Sequence, residues 1–123
     1  GTCIIKDDCI PLVEKICEAD TVIFGSAVYW WGITAQLKML IDKMYFKNVA
    51  LSKQKKNIGI VAVGADEVNG EQYKLISSQF KCICEYLEWN LIINEAISAA
   101  DIGDMAKQTE KMEELKEIGR KLK

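Results

Sequence analysis

Two kinds of run alternate along the chain. Thr21-Val-Ile-Phe24 and Asn57-Ile-Gly-Ile-Val-Ala-Val63 are short and almost unbroken in apolar residues, which predicts strands buried on both faces. Leu91 to Ile97 is a third such stretch, interrupted by Asn94 and Glu95, and suits a strand at a sheet edge. The segments between them have helical period. Leu12, Val13 and Ile16 give a short first helix ending near Cys17, with Pro11 in its first turn and Asp7 or Asp8 as its cap. Thr34 caps a second, from about Ala35 to Phe46, with Leu37, Ile41 and Met44 on one face. Tyr73, Ile76, Phe80, Ile83 and Leu87 mark a third, from Glu71 to Glu88. Met112, Leu115, Ile118 and Leu122 form the core-facing stripe of a fourth, from Met105 to Lys123. Helices alternating with buried strands predict a parallel α/β sheet with right-handed crossovers.

In such sheets ligands bind outside the carboxyl ends of the strands. The stretch from Ser26 to Gly32 falls there, and Tyr29, Trp30 and Trp31 either offer stacking surface or plug the end of the sheet. Gly64, where the second strand ends, is either a simple turn or a point where the backbone approaches a ligand. Asp7 and Asp8 are better placed to cap a helix than to hold a metal. Lys53 to Lys56 reads as a solvated turn before a strand rather than a phosphate patch.

Composition narrows the class. The 123 residues make one domain, 50% hydrophobic with a net charge of −2, which excludes a disordered chain and gives no basic surface for nucleic acid. No apolar run approaches the ~18 residues of a membrane span, and no secretion leader is visible. Cys3, Cys9, Cys17, Cys82 and Cys84 are odd in number without framework spacing, which fits free thiols in a reduced, cytoplasmic setting. Cys82 and Cys84 point to different sides of their helix and cannot share a metal. Histidine is absent, which removes the commonest general base and favours chemistry carried by a cofactor.

An ordered set of motifs adds a resemblance. Gly1-x-Cys3-x-Ile5-Lys6-Asp7-Asp8, Glu18-Ala19-Asp20, Gly25-Ser-Ala-Val-Tyr-Trp30, Ala35-Gln-Leu-Lys38 and Ile41-Asp-Lys43 together resemble the flavodoxin-like NAD(P)H-dependent FMN reductases, nearest their multimeric-flavodoxin and iron–sulfur flavoprotein branch. The resemblance implies a flavodoxin-like three-layer sandwich with a parallel sheet of order 2-1-3-4-5. It places Ser26, Ala27, Val28, Tyr29 and Trp30 around an FMN ring, with Gly64 and Ala65 approaching from the other side. Relatives usually have proline at Ala27, so the loop here is less rigid. The family's first strand, its Ser/Thr-rich FMN-phosphate loop, the following helix and the second strand have no counterpart. Residues 1–123 are therefore expected to form a single, N-terminally incomplete domain whose strands are the third, fourth and fifth. Cys3 matches the last cysteine of a cluster motif whose upstream partners are not in the chain, so no metal is assigned.

The implied activity is transfer of electrons from NAD(P)H through FMN to a quinone, a free flavin or another small-molecule acceptor. The protein would position the ring and supply no catalytic acid or base. The unpaired edge of the first strand here predicts a homo-oligomer. Two other readings remain open: an electron-transfer flavodoxin without its own substrate, and a non-catalytic fragment assembling through that edge.

Overall fold

Three parallel strands, β1 (Thr21–Ala27), β2 (Asn57–Gly64) and β3 (Asn90–Ser98), lie side by side in chain order in the computed structural model, which describes residues 1–122. The helices are α1 (Cys9–Glu18), α2 (Ala35–Lys43), the one-turn α3 (Asn48–Leu51), α4 (Glu71–Leu87), α5 (Asp104–Lys107) and α6 (Thr109–Arg120). A 3-10 turn over Met44–Lys47 joins α2 to α3, where one continuous helix to Phe46 was expected.

Consecutive residues of β3 show that helices cover both faces. Asn94 donates to Ser77 on α4, while Glu95 accepts from Lys111 on α6, and neighbours along a strand point to opposite faces. The α4 face carries the core: Phe24, Ile58 and Ile60 from the sheet meet Val13, Leu51 and Phe80 from the helices. The Phe24 and Phe80 rings lie 5.5 Å apart between centroids. The two polar residues that interrupt β3 are thus its ties to the helices on either side. Strand β3 is an edge, as its pattern predicts.

Strand β1 departs from expectation. It runs three residues past Phe24, and only one of its faces is buried. Phe24 and Ser26 are covered, whereas Ile23 is 42% exposed and Gly25 and Ala27 lie open. The helices of the core face cover the first set. On the other face α6 docks at β3 through Lys111 and Glu95, two strands away from β1. The outer edge of β1 is unpaired among the described residues.

The expected helix over Met105–Lys123 is broken in two at Gln108, and Lys123 lies outside the described residues. Gln108 leaves helical geometry and its side chain donates to the Ser98 carbonyl at the end of β3, 2.7 Å away. The apolar stripe of α6 is only half-buried, with Met112 37% exposed.

The lysine cluster is not a wholly solvated turn. Lys56 is 4% exposed, and its ammonium donates to the Cys17 carbonyl at 3.0 Å and to the Ala19 carbonyl. It thereby closes the end of α1, where unpaired carbonyls favour a cation. Burial lowers its pKa from the ordinary lysine value, against the pull of Cys17 and Asp20. At the other end of α1, Asp7 accepts from the Cys9 amide at 3.0 Å and pairs with Lys43 at 2.5 Å, so Asp7 supplies the capping bond, while the side chain of Asp8, at the N-cap position, supplies none.

Candidate ring site at the carboxyl end of the sheet

The residues that follow β1 and β3 are tied to the last residues of β2 at the carboxyl end of the sheet. The Val28 amide donates to the Val63 carbonyl at 2.8 Å, and the Ala99 amide donates to the Gly64 carbonyl at 2.8 Å. These bonds continue the ladder one residue past the strands, so Val28, Ala65 and Ala99 start from a common level.

Beyond Val28 the chain makes a two-residue hairpin. The Tyr29 and Gly32 amides each donate to the other's carbonyl at 3.0 Å, and Trp30 and Trp31 occupy the turn at φ 49° and 62°. Both values lie in the left-handed region, where a side chain costs roughly 1–2 kcal/mol and where turns of this kind usually carry Asn-Gly. Two tryptophans held there are strained, and strain of this sort collects at functional sites. The rings are largely open: Tyr29 is 65% exposed, Trp30 91% and Trp31 55%. The two indoles stand 6.2 Å apart between centroids, tilted by 42°, as an open aromatic wall.

The base of the hairpin is fixed by Ser26. Its hydroxyl donates to the Ala27 carbonyl at 2.7 Å and accepts from the Thr34 amide at 3.0 Å, and Thr34 in turn caps α2 by accepting from the Leu37 amide. Ser26 is buried, so its side chain braces the loop and does not face outward. Val28 is half-buried beside Gly64, and Ala27 and Ala65 are exposed. The Val28 and Tyr29 amides are already engaged. Among the described residues the amides of Trp30, Trp31, Ala65 and Asp66 have no protein acceptor, and these are the donors the site can offer.

Gly64 is a close approach. A Cβ at this position would stand 2.8 Å from Gln72 Nε2 and 2.9 Å from Val28 Cβ. Gln72, in the first turn of α4, has its Nε2 sealed from solvent and without a partner among the described residues. The sequence reading did not single it out, because an unpaired amide is a product of packing and leaves no mark in the residue pattern.

The site suits a flat, neutral ring: it offers exposed aromatic surface and free backbone donors. It does not suit a phosphate, since residues 26–33 and 64–70 contain Asp66 and Glu67 but no lysine or arginine. A groove of about 560 Å³ lies elsewhere. It runs between the carboxyl-terminal halves of α2 and α4, past Met44, Tyr45 and Tyr86, and contains none of the predicted site residues. No group of three or more His, Cys, Asp or Glu side chains among the described residues could hold a metal ion.

A parallel sheet in this order, with helices on both faces and an aromatic loop at its carboxyl end, defines a flavodoxin-like α/β protein. Solved structures agree on the fold. The chain is similar to the Trp repressor binding protein from Bacillus subtilis, with a TM-score of 0.69 and 21% identity over 86% of this chain and 67% of that one. It is also similar to the flavodoxin, WrbA-like protein from Agrobacterium tumefaciens, with a TM-score of 0.58 and 22% identity over 75% of this chain and 60% of that one. By sequence, the chain belongs to the NADPH-dependent FMN reductase family, which it matches over residues 1–83. An iron–sulfur flavoprotein of Methanocaldococcus jannaschii is 42% identical over 72 residues, which make up 58% of this chain and 37% of that protein. The matched region thus spans less than half of that relative's length.

Proposed function

We propose that this chain carries the ring-binding part of an FMN-dependent oxidoreductase that takes electrons from NAD(P)H and passes them to a quinone, a free flavin or another small acceptor. The observation that carries the reading is the strained Trp30–Trp31 hairpin with its exposed rings, which follows Val28, the residue packed against Gly64, with free amides on both loops. Bound FMN would supply hydride acceptance and electron release. Tyr29 and Trp30 would stack on the ring, and the amides of Trp30, Ala65 and Asp66 would bond its polar edge. Ser26 would hold the loop through Thr34 and Ala27. The phosphate would be held outside these two loops.

Anaerobic mixing of the FMN-loaded chain with NADH or NADPH tests this directly. Bleaching of the flavin absorbance, followed by reoxidation on adding a quinone, is expected. A flavin that stays oxidised with both nucleotides would favour an electron-transfer flavodoxin.

A second reading follows from the open edge of β1. The accessible surface of 8123 Å² exceeds the roughly 6,700 Å² of a compact monomer of this size. Ile23 lies exposed on the uncovered face of β1. Assembly of two copies over this edge would cover it, and sedimentation velocity across a concentration series would show a concentration-dependent dimer. The five free cysteines suit a reduced, cytoplasmic setting.

A further inference from the structure

Gln72 holds a hydrogen-bond donor where a donor is costly. Its Nε2 is shut off from solvent and meets no acceptor among the described residues. A buried polar group left unpaired destabilises a fold, and an apolar residue of similar shape would be tolerated better. Such a group persists when something other than the fold requires it.

Its position indicates what that is. Gln72 Nε2 and Val28 Cβ both crowd the space over the Gly64 Cα, at 2.8 and 2.9 Å from where a Cβ would stand. Val28 opens the aromatic hairpin and Gly64 opens the second turn, so the unpaired amide lies at the junction of the two loops that frame the ring site. Gln72 is anchored on a 17-residue helix, and its neighbour Tyr73 donates to the Ile97 carbonyl at 2.7 Å, which fixes that first turn against β3. The main chain at Gln72 is therefore fixed, and the unpaired amide ends a long side chain that can swing aside.

We propose that Gln72 is a binding residue of the ring site: its side chain swings out from over Gly64, and its amide donates to an acceptor oxygen or nitrogen on the polar edge of a flavin bound between the loops. This rests on the FMN reading given above. It adds a side-chain donor to a site otherwise built from main-chain amides.

The test compares the wild-type chain with Gln72→Met, which keeps the length of the side chain and removes the amide. Two quantities are measured: the urea midpoint without flavin, and the FMN affinity from quenching of flavin fluorescence. Without flavin, Gln72→Met should unfold at a higher urea concentration than wild type. With flavin, it should bind about three- to tenfold more weakly, with a shifted visible band. A merely structural glutamine would lower the midpoint instead, and that result overturns the proposal. Equal FMN affinities and spectra in the two proteins overturn it while leaving the FMN reading intact. A wild-type chain that takes up no FMN overturns both. Gln72→Asn serves as a second variant, because its shorter amide should lose affinity without regaining stability; wild-type affinity in it would also count against a direct bond.

Discussion

Gly64→Ala probes the junction between the two loops with a single methyl group. The new Cβ would stand 2.8 Å from Gln72 Nε2, the mobile end of a long side chain, and 2.9 Å from Val28 Cβ, which is fixed to its main chain. Gln72 can swing aside, but Val28 can yield only if the hairpin moves with it. Overpacking of this kind costs about 1–3 kcal/mol, offset by about 0.4–1 kcal/mol from the reduced freedom of the unfolded chain. A net loss of about 1–2 kcal/mol follows. An unfolding entropy of roughly 2.1 cal/mol/K per residue over 123 residues gives about 0.26 kcal/mol/K, so the melting temperature should fall by about 4–8 °C. FMN affinity should fall by about tenfold or more, since Val28 carries the aromatic turn. Gly25→Ala is the matched control: nothing lies within 4 Å of its Cβ position, so it should melt about 2–4 °C higher and bind FMN as wild type does. Calorimetry and FMN titration of both variants decide the matter. A Gly64→Ala protein with wild-type affinity would refute the claim that the two loops frame one site.

Three further outcomes follow from the same geometry. Replacing Trp30 by Asn and Trp31 by Gly puts residues suited to left-handed φ into the turn, so the chain should gain about 1–3 kcal/mol in urea unfolding yet bind FMN more weakly; a loss of stability would show that the rings hold the fold. Lys56→Met leaves the Cys17 and Ala19 carbonyls without their donor and should lower stability by about 1–3 kcal/mol. An unchanged urea midpoint would mean that desolvating the ammonium cancels its bonds. The Asp7 carboxyl is held below the usual range first by its bond to Lys43, so its contribution is present above the unfolded carboxylate pKa of about 4 and is lost as pH falls through the lower folded value. The urea midpoint of Asp7→Asn should therefore lie below wild type at pH 6 and converge with it toward pH 3; a constant gap would contradict this.

The elements that bury apolar residues are the ones the residue pattern reveals. Strand β2, with Ile58, Ile60 and Ala62, and helix α4, with Ile76 and Phe80, lie where period and composition place them, and Asn94 and Glu95 correctly mark an edge. Apolar content does not report what covers it, which is why β1 reads as buried on both faces while Ile23 faces open space. Lys56 escapes the pattern because its partners are main-chain carbonyls, identical in every sequence. At the break Gln108 bonds to the Ser98 carbonyl at the end of β3, and helical periodicity runs through it undisturbed. At the candidate site the aromatic run and Gly64 are visible in the residues themselves. The left-handed turn is not, since Trp-Trp is a poor match to the Asn-Gly signature of such turns. Gln72 is hidden for a different reason, because only the packing of Val28 against Gly64 leaves its amide without a partner.

The central claim, that the Tyr29–Trp31 hairpin receives a flavin ring, is open to one optical measurement. The chain has three tryptophans, of which Trp30 and Trp31 stand in the hairpin and Trp89 is buried, its indole donating to the Leu51 and Gln54 carbonyls. Titration with FMN, followed by tryptophan emission, should quench the solvent-exposed, red-shifted component saturably and leave the buried Trp89 component as the larger residue. Emission that changes only as free flavin absorbs light, with no saturation, would contradict the account.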